Sequence, residues 1–281
     1  MESKEHIYIM FPLFNRIEMT LKCLQGFYSQ DYPNFSVHLF DDGSTDDTQN
    51  LIAKHFPKTE VIRGEGDYWW TKSINQVLRK LITQAGENDF FLTSNNDTWI
   101  EPNFLSTLIK ESKENNRSIV GSRLKNAANV EMITPCGYYY SPEIVGFTPA
   151  PAVIEGKRVI DALGCRGTII PSEVFRKVGE FDEINLPHYA ADIEFFLRAH
   201  KAGFNILESD TAYTFDLEPP ETAQAEFAGM KLYDVLFSIR SKSNLKARFA
   251  IIDKHGPGGL KNLKLKVVSF LTLVKTYFAQ R

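Results

Sequence analysis

Short apolar runs alternate with helical stripes along the first half of the chain. Residues 7–11, 36–40 and 89–93 are runs of this kind, and polar turn residues follow each of them. Such runs indicate buried strands of a parallel sheet. Between them, residues 71–82 carry apolar side chains at i, i+3, i+4, i+7 and i+8, as one face of a buried helix does. This alternation predicts an α/β fold with a doubly wound, mostly parallel sheet.

The same pattern sets the expected element positions. Strands are predicted at 7–11, 36–40, 59–62, 89–93, 118–121 and 158–170, and helices are predicted to begin near 17, 44, 71, 101, 171 and 190. The helix near 44 is expected because Ser44 and Asp47 resemble a capping box. Residues 126–157 are rich in Gly, Pro and Tyr, which indicates a long loop with short antiparallel strands that forms one wall of a binding site.

Composition is that of a soluble globular protein. The chain has 281 residues, 43% of them hydrophobic and 24% charged, enough to bury a sizeable core. The first six residues include acids where a signal peptide needs bases, and no apolar run reaches the length of a membrane span. Cys23, Cys136 and Cys165 form no CxxC pair, which fits buried thiols in a reducing compartment. We therefore expect a cytoplasmic protein.

Charge is distributed unevenly around a net value of −3. Residues 231–281 contain eleven Lys and Arg against two Asp, whereas the remainder contains 21 bases against 33 acids. Within 259–281, apolar residues form one helical stripe, and Lys261, Lys264 and Lys275 lie off it. A helix of this type can lie on a membrane with anionic headgroups, peripherally on the inner face, or can dock on the catalytic body. The segment Gly256-Pro257-Gly258-Gly259 is expected to act as its hinge.

Two polar clusters follow predicted strands and carry the candidate chemistry. The first is Asp41-Asp42-Gly43-Ser44, and the second is Asn95-Asn96-Asp97. In open α/β sheets, ligands bind beyond the carboxyl ends of the strands. Carboxylates there suit a nucleotide together with a hard divalent cation, which prefers oxygen ligands. Either cluster could instead be an ordinary turn whose side chains satisfy its own backbone.

The order and spacing of several motifs resemble those of a known family. The motifs are Pro12-Leu13-Phe14-Asn15, the two polar clusters, Gly179-Glu180-Phe181-Asp182 and the segment beginning at Asp192. Together they resemble a family 2 glycosyltransferase of the GT-A fold over about residues 6–216, of the bacterial polysaccharide or rhamnosyl type. The resemblance implies a GT-A-like catalytic domain at 1–220, with a nucleotide-binding half at 1–125 and an acceptor half at 126–220. Residues 221–281 would form an appended helical, basic extension.

The resemblance also implies an activity and its residues. It implies inverting, metal-dependent transfer of a hexosyl-type sugar from a nucleotide-diphospho-sugar to a glycan or lipid-linked acceptor in surface polysaccharide synthesis. Asp192 would be the catalytic base, and Asp97 with Asn95 would hold Mn²⁺ or Mg²⁺. The expected nucleotide-binding residues are Pro12, Phe14, Asn15, Asp41, Asp42, Asp67 and Asn96. The sequence departs from the family at Asn95, where an Asp is common, and at Ala191, where a Glu is common.

Six further residues are candidates for substrate binding, each with a structural alternative. Trp69 and Trp70 could stack on sugar faces or belong to the core, and adjacent rings at a helix start rarely both face a site. Arg166 could stabilise diphosphate charge or be an ordinary surface residue. The remaining candidates lie near these or near the base: Lys72, His188 and Tyr189.

Three other interpretations remain open at this point. A nucleotidyltransferase would also carry metal-binding carboxylates, but residues 11–16 lack the Gly-rich phosphate loop typical of that class. A sugar-nucleotide- or carbohydrate-binding protein could keep the fold without catalysis, as the departures at Asn95 and Ala191 allow. The basic tail could bind nucleic acid, although it lacks aromatic platforms on polar loops, so we expect no nucleic-acid partner.

Overall fold

A computed structural model describes residues 5–126, 129–134, 136–151, 156, 158–217 and 229–279. Its strands are β1 Ile7–Leu13, β2 Phe35–Asp41, β3 Glu60–Arg63, β4 Phe90–Thr93, β5 Thr98–Ile100, β6 Ile119–Asn126, β7 Asn129–Thr134, β8 Gly137–Ser141, β9 Gly146–Pro149, β10 Arg158–Val159, β11 Ala162–Leu163, β12 Thr168–Pro171 and β13 Ile206–Asp216. Its helices are α1 Ile17–Tyr28, α2 Thr48–His55, α3 Trp69–Ile82, α4 Phe104–Glu114, α5 Ser172–Val178, α6 Ala191–Lys201, α7 Leu232–Phe237, α8 Leu245–His255 and α9 Gly259–Ala279.

One large sheet organises the chain, with strand order β10-β13-β6-β12-β4-β1-β2-β3. The pairs β1–β2, β1–β4, β2–β3 and β6–β13 are parallel, whereas β12 runs antiparallel to both β4 and β6. The expected α/β class with a central, mostly parallel sheet is therefore confirmed. In register, Leu13 lies beside Asp41 and Met10 beside Thr93, so the turns after β1, β2 and β4 meet at one edge.

Helices cover both faces of this sheet, as the doubly wound prediction requires. On one face, Met10, Phe40 and Phe91 pack with the buried stripe of α3. On the other face, Phe11, Leu39 and neighbouring strand residues pack with α1 and α4. Successive strand residues point to opposite faces, which is why uninterrupted apolar runs form these strands.

Residues 137–149 form part of a small second sheet of order β11-β8-β9. Its pairs are antiparallel, so the prediction of short antiparallel strands within 126–157 is confirmed. Residues 127, 128, 135, 152–155 and 157 of that predicted loop lie outside the described residues.

Two predicted elements are wrong in their local form. The capping box at Ser44 does not open a helix, since α2 begins at Thr48 after a left-handed Asp47. The Ser44 hydroxyl instead accepts a hydrogen bond from the backbone N–H of Asn15, and the backbone N–H of Ser44 donates to the side chain of Asp41. The single strand expected over 158–170 is three short strands, because the chain bends at Asp161 and again at residues 165–167, where Gly167 has a φ of 79°.

Helix α8 packs against α6. Glu194 in α6 is fully buried and contacts Lys254 and His255 of α8, as well as Arg198 of its own helix. Glu194 and Arg198 form an i, i+4 ion pair at 2.9 Å. None of the helices within the described ranges combines the length and apolarity needed to cross a bilayer.

Candidate active site

Two cavities open at the strand edge and share part of their walls. One measures about 580 Å³ and the other about 590 Å³. Asp42 and Asp67 line the first, which we call the nucleotide-side cavity, whereas Asp97 and Asp192 line the second, the base-side cavity. Both are lined by Pro12, Arg16, Trp70, Asn96, His188 and Tyr189. Asp42, Asp97 and Asp192, the three carboxylates expected to act together, therefore face one continuous cleft.

Asp42 joins the two turns that border the nucleotide-side cavity. Its Oδ2 accepts hydrogen bonds from the backbone N–H groups of Tyr68 at 3.0 Å and Trp69 at 3.1 Å. Burial raises the pKa of the Asp42 carboxyl above its ordinary value, and these two amides offset part of that rise. Gly43, at a φ of 83°, lets the turn pass close to Gly66. Asp42 thus fixes the 64–70 segment while its carboxylate borders the cavity.

The adjacent tryptophans have separate partners but face the same cavity, so the expectation that adjacent rings at a helix start rarely both face a site is wrong here. Trp69 donates its indole N–H to Asp67 at 2.6 Å, and its ring lies 5.4 Å from the ring of His188. Trp70 donates its indole N–H to the side chain of Asn95 at 3.2 Å and packs edge-on against Phe181. Both rings are half-buried, and both line the nucleotide-side cavity.

The second polar cluster lies in the turn between β4 and β5. Asp97 is 6% exposed, and Nη2 of Arg166 lies 3.9 Å from its Oδ2. Arg166 also donates to Asp216 at 2.7 Å, so one guanidinium bridges two carboxylates. Burial alone would lower the pKa of Arg166, but Asp97 and Asp216 outweigh it and raise that pKa. Arg166 is therefore a fixed positive charge on the wall of the base-side cavity.

Asp192 stands in the first turn of α6, as predicted. Its Oδ1 accepts the N–H of Ile193 at 2.8 Å, and the backbone of Cys165 approaches it from the facing turn. Burial raises the pKa of the Asp192 carboxyl, which the nearby amides and Arg166 only partly offset. Ala191, the position where the resemblance leads one to expect a Glu, is fully buried.

Three cations on the cleft walls escaped the sequence reasoning. Arg16 lines both cavities, Arg240 lines the nucleotide-side cavity, and Lys242 lines the base-side cavity. The guanidinium of Arg240 lies 5.6 Å from the centre of the Trp69 ring. Burial lowers the pKa of His188, and the charge of Arg240 lowers it further. The basic composition of 231–281 was the signal that could have indicated Arg240 and Lys242.

Three predicted site residues do not line either cavity. Asp41 is fully buried beneath the first turn, where its carboxylate accepts the N–H of Ser44. Asn15 uses its side chain to accept the N–H of Thr45, which ties the turn after β1 to the turn after β2. Lys72 places its ammonium 3.7 Å from the centre of the Tyr68 ring. These three residues are therefore absent from the cavity walls, whereas Pro12 and Phe14 line the nucleotide-side cavity.

The donor set around Asp97 fits a divalent cation only in company with a bound phosphate. Within the described residues there is no group of three or more His, Cys, Asp and Glu that could hold a metal ion. The amide oxygen of Asn95 is already an acceptor for Trp70. Mg²⁺-type ions, however, commonly use one or two carboxylates, several waters and substrate phosphates. Asp97 with Asn95 meets that smaller requirement.

Comparisons with known proteins agree with the fold. Residues 8–138 match the profile described as "Glycosyl transferase family 2". TarS 1–349 of S. aureus, solved with UDP, is 18% identical, with a TM-score of 0.58 over 94% of this chain and 70% of that one. The mannosyltransferase PcManGT of Pyrobaculum calidifontis, solved with GDP-Man and Mn²⁺, is 13% identical, with a TM-score of 0.63 over 99% of this chain and 74% of that one.

A curated relative matches over a shorter stretch. It is the dolichyl N-acetyl-alpha-D-glucosaminyl phosphate 3-beta-D-2,3-diacetamido-2,3-dideoxy-beta-D-glucuronosyltransferase of Methanococcus voltae. The match is 40% identical over 50 residues, which are 17% of this chain and 16% of that relative. Residues 8–138 of this chain therefore match glycosyl transferase family 2, and the chain shares the α/β fold of these solved structures.

Proposed function

We propose that this protein transfers a sugar from a nucleotide-diphospho-sugar to an acceptor hydroxyl, with inversion at the anomeric carbon. The nucleoside occupies the nucleotide-side cavity, where Asp42 and Asp67 accept hydrogen bonds from base or ribose donors. Phe14, 57% exposed at the rim, and Trp69 supply flat apolar surfaces for the base or sugar. UDP and GDP-Man in the related structures make this donor class the natural expectation.

The diphosphate lies where the two cavities meet. Arg16 borders both cavities, and Arg166, Arg240 and Lys242 add positive charge around them. Four cations of this kind favour a ligand with a diphosphate charge. Asp97 and Asn95 would hold a divalent cation with the donor phosphates; when bound, Mn²⁺ or Mg²⁺ offsets the negative charge on the leaving diphosphate.

Asp192 is the proposed base. One of its carboxylate oxygens takes the proton of the acceptor hydroxyl as that oxygen forms a bond to the anomeric carbon. The bond between that carbon and the diphosphate oxygen breaks on the opposite face, and the nucleoside diphosphate leaves with the electron pair. The observation that carries this proposal is that Asp192 and Asp97 line one cavity, which continues into the cavity lined by Asp42.

The acceptor is proposed to be a glycan or a lipid-linked saccharide. The curated relative is named for a dolichyl phosphate-linked acceptor, which motivates the lipid-linked class. Assembly of a surface polysaccharide at the inner face of the membrane is the proposed setting. There, residues 259–281 would make a peripheral membrane contact.

The test of the base is Asp192→Asn, assayed for transfer and for donor affinity. Loss of the base should reduce the transfer rate by roughly 10²–10⁴-fold while donor affinity stays within about twofold. Asp31→Asn is the matched control, because Asp31 is exposed, lines neither cavity and contacts only Ser106 among the side chains of described residues. Unchanged turnover in Asp192→Asn would remove that residue from the mechanism. A wild-type chain that binds donor but transfers nothing would support the non-catalytic alternative.

A further inference from the structure

The terminal helix α9 presents its apolar stripe to solvent. Leu260 is 85% exposed, Leu271 58% and Phe278 63%. Leu263, Val267 and Phe270 are also exposed and belong to the same surface. We call these six side chains together the outer stripe. A helix that docked on the body through its apolar side would bury these residues. The docked alternative weighed from the sequence therefore does not describe this stripe.

Polar contacts hold α9 in this orientation. Asn262 accepts the N–H of Gly258 and donates to the carbonyl of Ile252, which pins the turn where a hinge was expected. Arg248 of α8 donates to Ser269 at 2.9 Å, and Lys266 pairs with Asp253 at 2.7 Å.

Tyr277 completes the inner face near the end of the helix. It is 2% exposed, packs with Val235 of α7 and donates its hydroxyl to the carbonyl of Met230. Rotation of the outer stripe toward the body would break these contacts as well as those of Asn262 and Ser269. The stripe is thus fixed facing outward.

The positive charges beside the outer stripe favour some binding partners of this surface over others. Lys261, Lys264 and Lys275 are exposed on one flank of the stripe, and α9 contains no Asp or Glu. Pairing two copies of α9 along the stripe would bring lysines together without an acid to balance them, which is unfavourable at such an interface. An anionic lipid surface accepts both the apolar side chains and the lysines.

We propose that α9 is an in-plane membrane anchor that binds anionic lipid bilayers through the outer stripe and its flanking lysines. This extends the membrane contact suggested above, and it stands or falls separately from the transfer reaction. At about 1.5 Å per residue, its 21 residues lie flat over roughly 30 Å of bilayer surface. The apolar side chains enter the headgroup boundary, and the ammonium groups remain at the level of lipid phosphates.

Vesicle flotation of the full-length chain tests this proposal without any sugar substrate. Wild type should float with phosphatidylcholine vesicles that contain phosphatidylglycerol, and bind vesicles of phosphatidylcholine alone at least tenfold more weakly, because each basic residue near an anionic surface contributes on the order of 1 kcal/mol. Leu263→Asp with Leu271→Asp should lose at least tenfold in binding to the anionic vesicles. Lys264→Gln with Lys275→Gln should lose most of the preference for anionic lipid.

Ile184→Asp is the matched control, since Ile184 is 76% exposed but lies outside α9. It should float as wild type does, and all variants should keep the wild-type melting temperature because the changed side chains are exposed. Failure of wild type to float with anionic vesicles overturns the proposal. So does a wild-type dimer in light scattering that Leu263→Asp with Leu271→Asp converts to a monomer, which would assign the stripe to a second copy.

Discussion

At the scale of single residues, the cleft places carboxylates where ionisation is costly. Asp42 and Asp192 both have a raised pKa, and burial is the largest cause in each. Hydrogen bonds from backbone N–H groups offset part of that effect at both positions, because they stabilise the ionised carboxylates. A base with a raised pKa is also a better proton acceptor, which suits the role proposed for Asp192.

The raised pKa of Asp192 predicts a pH-dependent effect on stability. Between the ordinary Asp value and the raised native value, the native state binds more protons than the unfolded state. The contribution of Asp192 to stability therefore falls as pH rises through that interval and stays lower above it. Asn at this position carries no charge at any pH. The melting temperature of Asp192→Asn relative to wild type should thus increase as the pH rises from the ordinary Asp value through the raised native value.

Melting temperatures of the two proteins across a pH series check this directly. The other carboxylates, including Asp42, are common to both chains and cancel in the difference. A difference that shrinks as pH rises would mean that Asp192 is stabilised as an anion in the fold. The same titration predicts an acidic limb in the transfer rate, with activity rising as Asp192 loses its proton.

At the scale of elements, the sequence predicts the scaffold better than its details. Apolar runs and helical stripes identify β1, β2, β4, α1, α3 and α6, because burial alone decides those patterns. Predictions from local sequence motifs were wrong where the same polar groups form hydrogen bonds with other parts of the chain. Ser44 serves the neighbouring turn instead of capping a helix, and the apolar character of 158–170 conceals a turn at Gly167.

The candidate site divides in the same way. Asp42, Asp97 and Asp192 follow predicted elements, so chain topology brings them to one cleft. Arg240 and Lys242 come from the extension, far along the chain from the strand-edge turns they face, and no periodic pattern links them. Asp41 is a residue type expected at such a site, but its carboxylate accepts a hydrogen bond from Ser44 within the turn. Sequence patterns report which faces are buried, and only the packed structure shows which polar groups are already satisfied.

The contact between the two turns at the nucleotide-side cavity predicts a difference between two glycines. A Cβ at Gly43 would lie 3.1 Å from the backbone nitrogen of Gly66, whereas a Cβ at Gly66 would approach nothing closer than 3.9 Å. Both have a positive φ, so each Gly→Ala substitution should cost about 1–2 kcal/mol of stability. Gly43→Ala should in addition displace the 64–70 segment and weaken nucleotide binding.

Denaturant unfolding and nucleotide titration of the two variants separate strain from displacement. Gly66→Ala is the control, because it shares the backbone strain without the close approach. Equal nucleotide affinities in the two variants would mean that the contact between the turns does not position Asp67 and Trp69.

At the scale of the whole molecule, residues from distant parts of the chain line the cleft. The turns after β2 and β4 supply one side, α6 supplies Asp192, and the segment after α7 supplies Arg240 and Lys242. The buried Glu194 lies two residues beyond Asp192 in α6. It joins these parts because it contacts Lys254 and His255 of α8. Burial would raise the pKa of Glu194, but His255, Arg198 and Lys254 outweigh it and lower that pKa. Helix α8 is thereby fixed to α6, the helix that carries the proposed base.

Because donor and divalent cation would bind only the folded cleft, ligand binding should stabilise the whole chain. A nucleotide-diphospho-sugar at about a hundred times its Kd should add about 2.7 kcal/mol, which is roughly 5–10 °C in melting temperature for a chain of this size. Mn²⁺ should increase that shift when donor is present and have little effect alone, since Asp97 and Asn95 need the phosphates to complete the ligand set. Asp97→Ala should keep a donor shift but lose the increase from Mn²⁺, whereas Asp31→Ala should behave as wild type. An equal Mn²⁺ effect in Asp97→Ala would move the cation away from the β4–β5 turn, and the four cations around the cleft would then be the groups that balance the diphosphate.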